Sequence, residues 1–346
     1  MAYQRNIATG LSRSYASAPS IDVDSNNLKL IVFSDHHKGK RDAADDFAPC
    51  EPVYLQALDH YQENGFTLAV LGDVEDLWEN RPEEILPQYR EVSQRERVFN
   101  SAGRYFRFFG NHDDEWSYPD SVRKYLQKDY GNLHVYEGMR LRIQDANGLP
   151  KEIFLVHGHQ GTLESDRLSW ISRWIVRNIW RPFQRLANVR LTTAATNWRL
   201  RHRHEVAMYN WAIKQSGMLL ITGHTHHPIF PSHAWLTQLL DRYQELRRRP
   251  EGLNDEQLEE LEAEIAYARQ QTRPCYFNTG CCSFADGSIS GIEISEGQIR
   301  LVRWLQDSGQ VRREILDRAD LYEILDRVQT PAEPISESIP PLPESL

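Results

Sequence analysis

Short apolar runs recur along the chain at wide intervals and are its most regular pattern. Five of them determine the predicted fold and lie over residues 28–33, 66–71, 105–109, 153–156 and 218–222. Runs of this length, bounded by polar residues and glycine, predict buried strands. Between the first two, apolar residues near helical spacing over 51–64 and the stop signal Asn64-Gly65 predict a helix. Strand, helix and strand in this order predict a parallel pair with a right-handed crossover, and hence an α/β fold.

The rest of the pattern adds elements around these strands. Polar segments with helical character are residues 83–103, which follow Pro82, and residues 121–129. Alternating segments predict further strands over 133–143, 276–284 and 288–304. The turn Asn147-Gly148 predicts a hairpin that joins 133–143 to the run at 153–156. The two strands near the carboxyl end would complete a second sheet.

The two ends of the chain lack this pattern. Residues 1–27 are rich in Ser, Ala and Asn without periodicity, which predicts a disordered amino-terminal arm. Residues after 327 turn to Pro, Glu and Ser, which predicts a disordered tail. The sequence thus predicts one domain over residues 28–304, followed by a carboxyl-terminal extension over 305–346.

The first insertion within this domain, residues 161–215, is basic and rich in tryptophan. Residues 164–214 hold ten Lys and Arg against three Asp and Glu, so their net charge is +7 in a chain of net charge -9. An amphipathic helix is predicted in its first half, with Arg173, Arg177 and Arg181 on the polar face. This pattern is typical of interfacial helices and predicts a lid that contacts an amphiphilic anionic substrate or an anionic membrane. The alternative is that the apolar face packs on the core and the arginines are solvated.

The second insertion, residues 236–271, carries two helical stripes of apolar residues separated by Pro250-Glu251-Gly252. It predicts a helical hairpin with a charged outer surface. We interpret it as an arm for packing or for assembly of a homo-oligomer, not for chemistry.

Composition narrows the function classes. A formal net charge of -9 and a pI near 5.8 argue against nonspecific nucleic-acid binding, which depends on Lys and Arg. The four cysteines lack the paired spacings of a zinc site, and the neighbours Cys281 and Cys282 are poor disulfide partners. No run reaches the roughly 18 apolar residues of a membrane span. We expect a cytoplasmic protein, with peripheral membrane contact as an option.

Each of the five apolar runs ends on residues that bind metals. The candidate ligands are Asp35, His37, Asp73, Asn111, His157, His224 and His226. Carboxylate, amide oxygen and imidazole without thiolate suit Mn²⁺, and also Fe²⁺ or Zn²⁺. Seven ligands are too many for one ion with an open position, but fit two ions that share a carboxylate. In extended backbone, residues two apart face the same way, so Asp35 and His37 can chelate one ion, and His224 and His226 would be neighbours.

These motifs carry a family resemblance. They are Asp35-x-His37, Gly72-Asp73-x-x-Asp76, Gly110-Asn111-His112-Asp113, His157 and Gly223-His224-Thr225-His226. Over residues 28–304 the set resembles the calcineurin-like metallophosphoesterase superfamily. The resemblance implies a four-layer α/β/β/α sandwich of two mixed sheets with helical insertions, and a site for two divalent metal ions.

The resemblance also implies roles for single residues. Asp35, His37 and His226 would hold one ion, Asn111, His157 and His224 the other, and Asp73 would bridge the two. His112 would protonate the leaving oxygen or stabilise charge, oriented by Asp113, and Asp76 would support the ligands. The implied reaction is hydrolysis of a phosphodiester or pyrophosphate by in-line attack of a metal-bridging hydroxide.

Within the superfamily, the stretch Gly72–Trp78 and the first insertion are similar to UDP-2,3-diacylglucosamine pyrophosphatases. Those enzymes typically carry Arg where this chain has His112. A lipid-linked or nucleotide-sugar substrate is one expectation. The alternatives are a nuclease or cyclic-nucleotide phosphodiesterase of the same superfamily, with nucleic acid the weaker prediction, or a metal-binding scaffold without catalysis.

Overall fold

A computed structural model describes residues 2–24, 27–144, 150–162, 197–231, 233–248, 255–271 and 273–336. The strands in chain order are β1 (Ser20–Val23), β2 (Leu30–Phe33), β3 (Thr67–Leu71), β4 (Tyr105–Phe108), β5 (Val135–Tyr136), β6 (Gly138–Gln144), β7 (Pro150–Val156), β8 (Met218–Thr222), β9 (Pro228–Ile229), β10 (Tyr276–Thr279), β11 (Ile289–Ser295), β12 (Gln298–Asp307) and β13 (Gln310–Asp320). All five decisive apolar runs form strands.

The helices are α1 (Ala2–Ser17), α2 (Glu51–Glu63), α3 (Pro82–Ile85), α4 (Arg90–Ser101), α5 (Pro119–Ser121), α6 (Gln127–Tyr130), α7 (Trp198–Ala212), α8 (His233–Arg248), α9 (Asp255–Gln270) and α10 (Leu321–Arg327). Short 3₁₀ turns cover Leu86–Tyr89 and Asp114–Ser117, and a π turn covers Val122–Leu126. None of the helices in the described part of the chain is long and apolar enough to cross a bilayer.

Two mixed sheets form the centre of the fold. The first has the order β1-β6-β7-β8-β10-β9 and the second the order β13-β12-β11-β2-β3-β4-β5. Buried side chains of both sheets share one core, with Val32 and Leu71 from the second sheet and Leu155 and Ile221 from the first. A second core lies between the second sheet and the helices α2 and α4. The predicted α/β sandwich of two mixed sheets with flanking helices is confirmed.

The expectation of a disordered amino-terminal arm is wrong. Residues 2–17 form α1, in which Ile7 and Leu11 are fully buried, and β1 pairs in parallel with β6. The Tyr15 hydroxyl donates to Glu152 at 2.5 Å, which ties the helix to the strand β7. The apolar residues of α1 are sparse among Ser, Ala and Thr, so periodicity alone did not show the buried face.

Leu11→Ala is expected to lower the free energy of unfolding by about 2–5 kcal/mol, because it removes a buried side chain from the shared core. Chemical denaturation measures this loss. Arg13→Ala, an exposed position on the same helix, is the matched control and should change stability by less than about 0.5 kcal/mol. Equal stability of the two variants would show that α1 does not dock in solution.

The boundary after residue 304 also needs correction. The strand β12 continues to Asp307 and pairs along its length with β13, so residues 305–320 belong to the second sheet. The chain beyond α10 is tied to α7 at two points. Ala332 donates its N–H to the Ile213 carbonyl at 3.0 Å, and Ile335 donates to the Asn210 side chain at 2.7 Å. Residues 337–346 lie outside the described residues.

The predicted lid is only partly described. Residues 163–196 lie outside the described residues, so the lid residues Arg173, Arg177 and Arg181 stay a prediction from sequence. The remainder of the insertion forms α7, whose Met208 and Tyr209 are fully buried in the shared core. Residues 198–212 therefore pack on the core, whereas the lid and its packing alternative, which concern the helix that carries the three arginines, both stay predictions.

Residues 236–270 lie within the helices α8 and α9 and the segment between them, and residue 271 follows α9. Leu239 and Tyr243 of α8 pack against Leu261 and Ile265 of α9 in a small separate core. The apolar stripes therefore contact each other within one chain. Assembly of a homo-oligomer through this hairpin stays a prediction.

Candidate metal centre

The predicted ligands converge where strands of both sheets end. Asp35, Asp73 and Asn111 follow β2, β3 and β4 of the second sheet, whereas His157 and His224 follow β7 and β8 of the first. Because parallel neighbours present their carboxyl ends at one edge, ligands from distant parts of the sequence meet there. His37 and His226 lie on the same loops, two residues beyond Asp35 and His224.

The backbone at the ligands differs from the expected extended form. Asp35, His37, Asp73, His224 and His226 all have positive φ, between 51° and 71°. This left-handed conformation costs a side-chain-bearing residue roughly 1–2 kcal/mol, so surrounding contacts must hold it. Backbone hydrogen bonds that continue the pairing of β2 with β3 stabilise part of this conformation. The N–H of Asp35 donates to the Gly72 carbonyl at 3.1 Å, and the N–H of His37 donates to the Asp73 carbonyl at 2.9 Å. Asp35 and His37 do meet, with the His37 Nε2 3.9 Å from Asp35 Oδ1, but not through period-two geometry, whereas His224 and His226 face different clusters of candidate ligands.

Two glycines leave room for carboxylates. A Cβ on Gly223 would collide with the Asp35 carboxylate and the Ser34 hydroxyl, and a Cβ on Gly110 would collide with the Asp73 carboxylate. Both carboxylates therefore lie directly against main chain. The Asp35 Oδ2 accepts the His224 N–H at 2.9 Å, which joins the first and last ligand loops.

One ligand group contains Asp35, His37 and His226, whose ligand atoms lie within 4.8 Å of one another. The His226 Nε2 is 3.3 Å from Asp35 Oδ1 and 2.9 Å from the His37 Nε2. A second group contains Asp73, His157 and His224.

Asn111 joins that second group. Its Oδ1 is 3.3 Å from the His157 Nε2, which itself is 3.2 Å from Asp73 Oδ2. The His157 Nδ1 is 2.6 Å from the Leu71 carbonyl and donates its proton there. Burial lowers the pKa of His157, but the Asp73 and Asp35 carboxylates outweigh it and raise the pKa to about 9, so Nε2 must release its proton when a metal binds there.

The donor atoms fit divalent cations. Asp35 Oδ1 is fully buried and accepts no hydrogen bond from the described residues, although it faces His226 and His37. An unpaired buried carboxylate oxygen is costly unless a cation satisfies it. Separations near 3 Å are those of donors that share one ion about 2 Å away. The residues therefore fit the metal ions that the resemblance implies.

Electrostatics keep several donors ready for a cation. Burial raises the pKa of Asp73, but His157 and His112 outweigh it, and the pKa falls well below the ordinary value. Burial lowers the pKa of His37 to about 4, and the charges of His112 and His226 add to the shift. Burial likewise lowers the pKa of His224, next to His204 and His157. An ionised carboxylate and neutral imidazoles are the forms that bind metals.

His112 lies at the open side of the site. Its Nδ1 is 3.0 Å from Asp76 Oδ1, and its ring stacks on the Trp78 indole with centroids 4.1 Å apart. The side chains of His112 and His226 are 20% and 27% exposed, whereas Asp35 is fully buried, so solvent reaches the site past these two histidines. His112 also forms a third possible ligand group with His37 and Asp73.

The expected orientation of His112 by Asp113 is corrected by the structure. The buried Asp113 carboxylate accepts backbone N–H groups of Gly110 at 2.6 Å, Val74 at 2.9 Å and Asp73 at 3.2 Å. It therefore fixes the backbone of the ligand loops, and Asp76 is the carboxylate at the His112 ring.

Sequence reasoning missed two side chains that contact the site. Trp78 ends the stretch Gly72–Trp78, in which the sequence gives it no role, yet its indole stacks on the His112 ring. His204 of α7 packs on the His224 ring at 5.0 Å and bonds the Gly158 carbonyl at 2.9 Å. The spacing of Trp78 to Asp76 could have suggested the first. No local pattern points to His204, because it reaches the site only through the fold.

Comparison with solved structures finds weak likenesses. Vacuolar protein sorting 29 from Cryptosporidium parvum is 12% identical with a TM-score of 0.38, and the match covers 85% of this chain and 98% of that chain. Wild-type Vps29 complexed with Zn²⁺ from Entamoeba histolytica is 15% identical with a TM-score of 0.29, covering 85% and 99%. No curated protein matches the chain in sequence.

The family model of calcineurin-like phosphoesterases matches residues 28–228. This range contains all seven candidate ligands and His112. It is more than half of the chain, and the protein therefore belongs to the calcineurin-like phosphoesterase family and is a metal-dependent phosphoesterase.

Proposed function

We propose that the protein hydrolyses a phosphodiester or a pyrophosphate at a dinuclear site, with Mn²⁺ as the metal and Fe²⁺ or Zn²⁺ as alternatives. The observation that carries the proposal is the sharing of ligands between groups. Asp73 belongs to one group with His157 and His224 and to another with His37 and His112. His37 also belongs to the group of Asp35 and His226. Such overlap suits two ions held side by side.

The chain's own residues supply binding and proton transfer. Two divalent ions at such a site would lower the pKa of bound water and neutralise charge on phosphoryl oxygens. His112, at the open side, is placed to donate a proton to the leaving oxygen from its Nε2, since its Nδ1 faces Asp76. Trp78 stacking and Asp76 together hold the ring, so that the proton is offered in one direction.

The finer substrate proposal is a lipid-linked or nucleotide-sugar pyrophosphate. Its support is the similarity of Gly72–Trp78 and of the first insertion to UDP-2,3-diacylglucosamine pyrophosphatases, together with the basic charge of that insertion. The same charge would serve contact with an anionic membrane. A nuclease or cyclic-nucleotide phosphodiesterase would use the same site on a different substrate.

A substrate panel with added Mn²⁺ tests this proposal. It contains a phosphomonoester, bis-p-nitrophenyl phosphate, a nucleotide-sugar pyrophosphate, a cyclic nucleotide and a single-stranded oligonucleotide. We expect Mn²⁺-dependent hydrolysis of the diester and of the pyrophosphate, abolished by chelation. Faster cleavage of the oligonucleotide or cyclic nucleotide would select those alternatives. Bound metal without turnover of any substrate would identify the idle scaffold.

A further inference from the structure

The helical hairpin of α8 and α9 reaches the metal centre through His227, the residue after the ligand His226. The His227 Nδ1 is 3.1 Å from Glu205 Oε1 on α7, and its Nε2 contacts the Glu264 carboxylate on α9. The three side chains are 19%, 4% and 16% exposed, in that order. The imidazole is thus held from both sides by carboxylates of two different helices.

The hairpin is fixed to α7 beside this contact. Arg201 of α7 pairs with Glu260 of α9, and the buried Tyr267 donates to the Glu205 carbonyl at 3.4 Å. Glu264 therefore approaches His227 from a helix whose position is set by several contacts. A positioned carboxylate can fix a side chain, whereas one on a mobile arm cannot.

The loop that carries the ligands needs such a hold. His224 and His226 both have positive φ, and the loop links β8 to the two-residue strand β9. On the side of Gly223 the loop is held by Asn278, whose amide donates to the Gly223 carbonyl at 2.7 Å and to the Thr225 hydroxyl at 3.2 Å. On the side of His226, β9 pairs with β10 from Pro228 onwards, and His227 adds the contacts to its two carboxylates.

We propose that Glu264 is a positioning residue for the metal ligand His226, and that it acts through His227. The hairpin is then part of the metal centre and not only an arm on its surface. This inference rests on the proposed dinuclear site. Contacts that orient ligands typically change metal affinity about 10- to 100-fold when they are removed.

The test compares Glu264→Ala with Glu259→Ala in the full chain. Glu259 lies on the same helix and pairs with Arg199 at 2.6 Å on the exposed surface, so it matches the charge change and lacks the contact to His227. Calorimetric titration of the metal-free proteins with Mn²⁺ is the readout. We expect Glu264→Ala to bind one of two Mn²⁺ ions about 10- to 100-fold more weakly, Glu264→Gln to recover part of the affinity, and Glu259→Ala to match the parent.

Activity adds a second readout. Hydrolysis of bis-p-nitrophenyl phosphate by Glu264→Ala should require more Mn²⁺ for half-maximal rate and approach the parental kcat at excess Mn²⁺. A residue that served only to dock the hairpin would lower thermal stability and leave the Mn²⁺ titration unchanged. If Glu264→Ala does not fold, His227→Gln changes the same contact at a residue outside the hairpin and gives the same test.

Several outcomes overturn the inference. They are parental Mn²⁺ affinity in a folded Glu264→Ala or His227→Gln protein, and an equal loss in Glu259→Ala. Mn²⁺ binding and hydrolysis by the parent protein test the proposed function separately. A parent that binds two Mn²⁺ ions and hydrolyses nothing sinks the proposed function and leaves the positioning test intact, whereas a parent that binds no Mn²⁺ overturns both.

Discussion

Asp73→Ala is expected to abolish phosphoester hydrolysis and to empty the metal centre. Asp73 belongs to two of the three ligand groups, and its Oδ1 also accepts the His112 N–H at 2.8 Å. Removing it takes a donor from both proposed ions and removes a carboxylate that faces His157 at 3.2 Å and His37 at 3.9 Å. Elemental analysis should fall from about two ions per chain to far fewer, and hydrolysis of bis-p-nitrophenyl phosphate should fall to background.

Asp120→Ala is the control for the loss of a carboxylate. Asp120 pairs with Arg123 on the exposed surface and should keep both metal and activity. Circular dichroism of the metal-free variants separates loss of ligand from loss of fold. An Asp73→Ala protein that hydrolyses the diester at the parental rate would show that the bridge has been assigned to the wrong residue.

The ligands could be predicted because the residues next to each of them in the sequence already indicate its position in the fold. Each one follows an apolar run, and the run is enough to place its end at the edge of a sheet. The order β2, β3, β4 in space follows from strand-helix-strand connections, so Asp35, Asp73 and Asn111 had to come together. What sequence could not fix is backbone conformation at the ligands, since few non-glycine residues adopt positive φ without a surrounding structure that forces it.

The partners of buried polar groups were harder to predict than the ligands. Asp113 directly follows His112 in sequence, whereas Asp76 lies 36 residues earlier, and spacing alone does not say which carboxylate turns towards the ring. The outcome depends on the N–H groups of Gly110 and Val74, which point at Asp113 and satisfy it. A carboxylate can bond either the His112 ring or nearby backbone N–H groups, and the geometry of the folded loops decides between them.

The ends of the chain show a related limit. The helix α1 and the strand β13 were not predicted as parts of the domain, although both pack on it. Burial in α1 rests on a few residues such as Ile7 and Leu11 among small polar ones, and β13 leaves Ile315 44% exposed as an edge strand. Helices and strands with such weak local patterns are stabilised by the surface on which they pack. A short window of sequence does not show that surface.

His112→Ala is expected to keep its metal and to lose much of its turnover. His112 is proposed to act on the leaving oxygen, and general acid assistance is typically worth about 10² to 10⁴ in rate. The loss should be smallest for esters with good leaving groups, because these need little protonation. Steady-state kinetics with a series of aryl phosphodiesters of decreasing leaving-group acidity measure this dependence, alongside elemental analysis of the purified variant.

The same variant distinguishes two roles for His112, as a general acid or as a metal ligand. Its ligand atoms lie within reach of His37 and Asp73, so it is also a candidate ligand, and in that case metal content would fall together with activity. Asp76→Asn sharpens the distinction, since Asp76 touches the His112 Nδ1 at 3.0 Å and is proposed to act on the reaction through that ring. As a general acid and its orienting partner, the two residues form one unit, and the double variant should be no slower than His112→Ala alone. Rate losses that add, with metal retained in all three proteins, would mean that Asp76 acts on the substrate independently of His112.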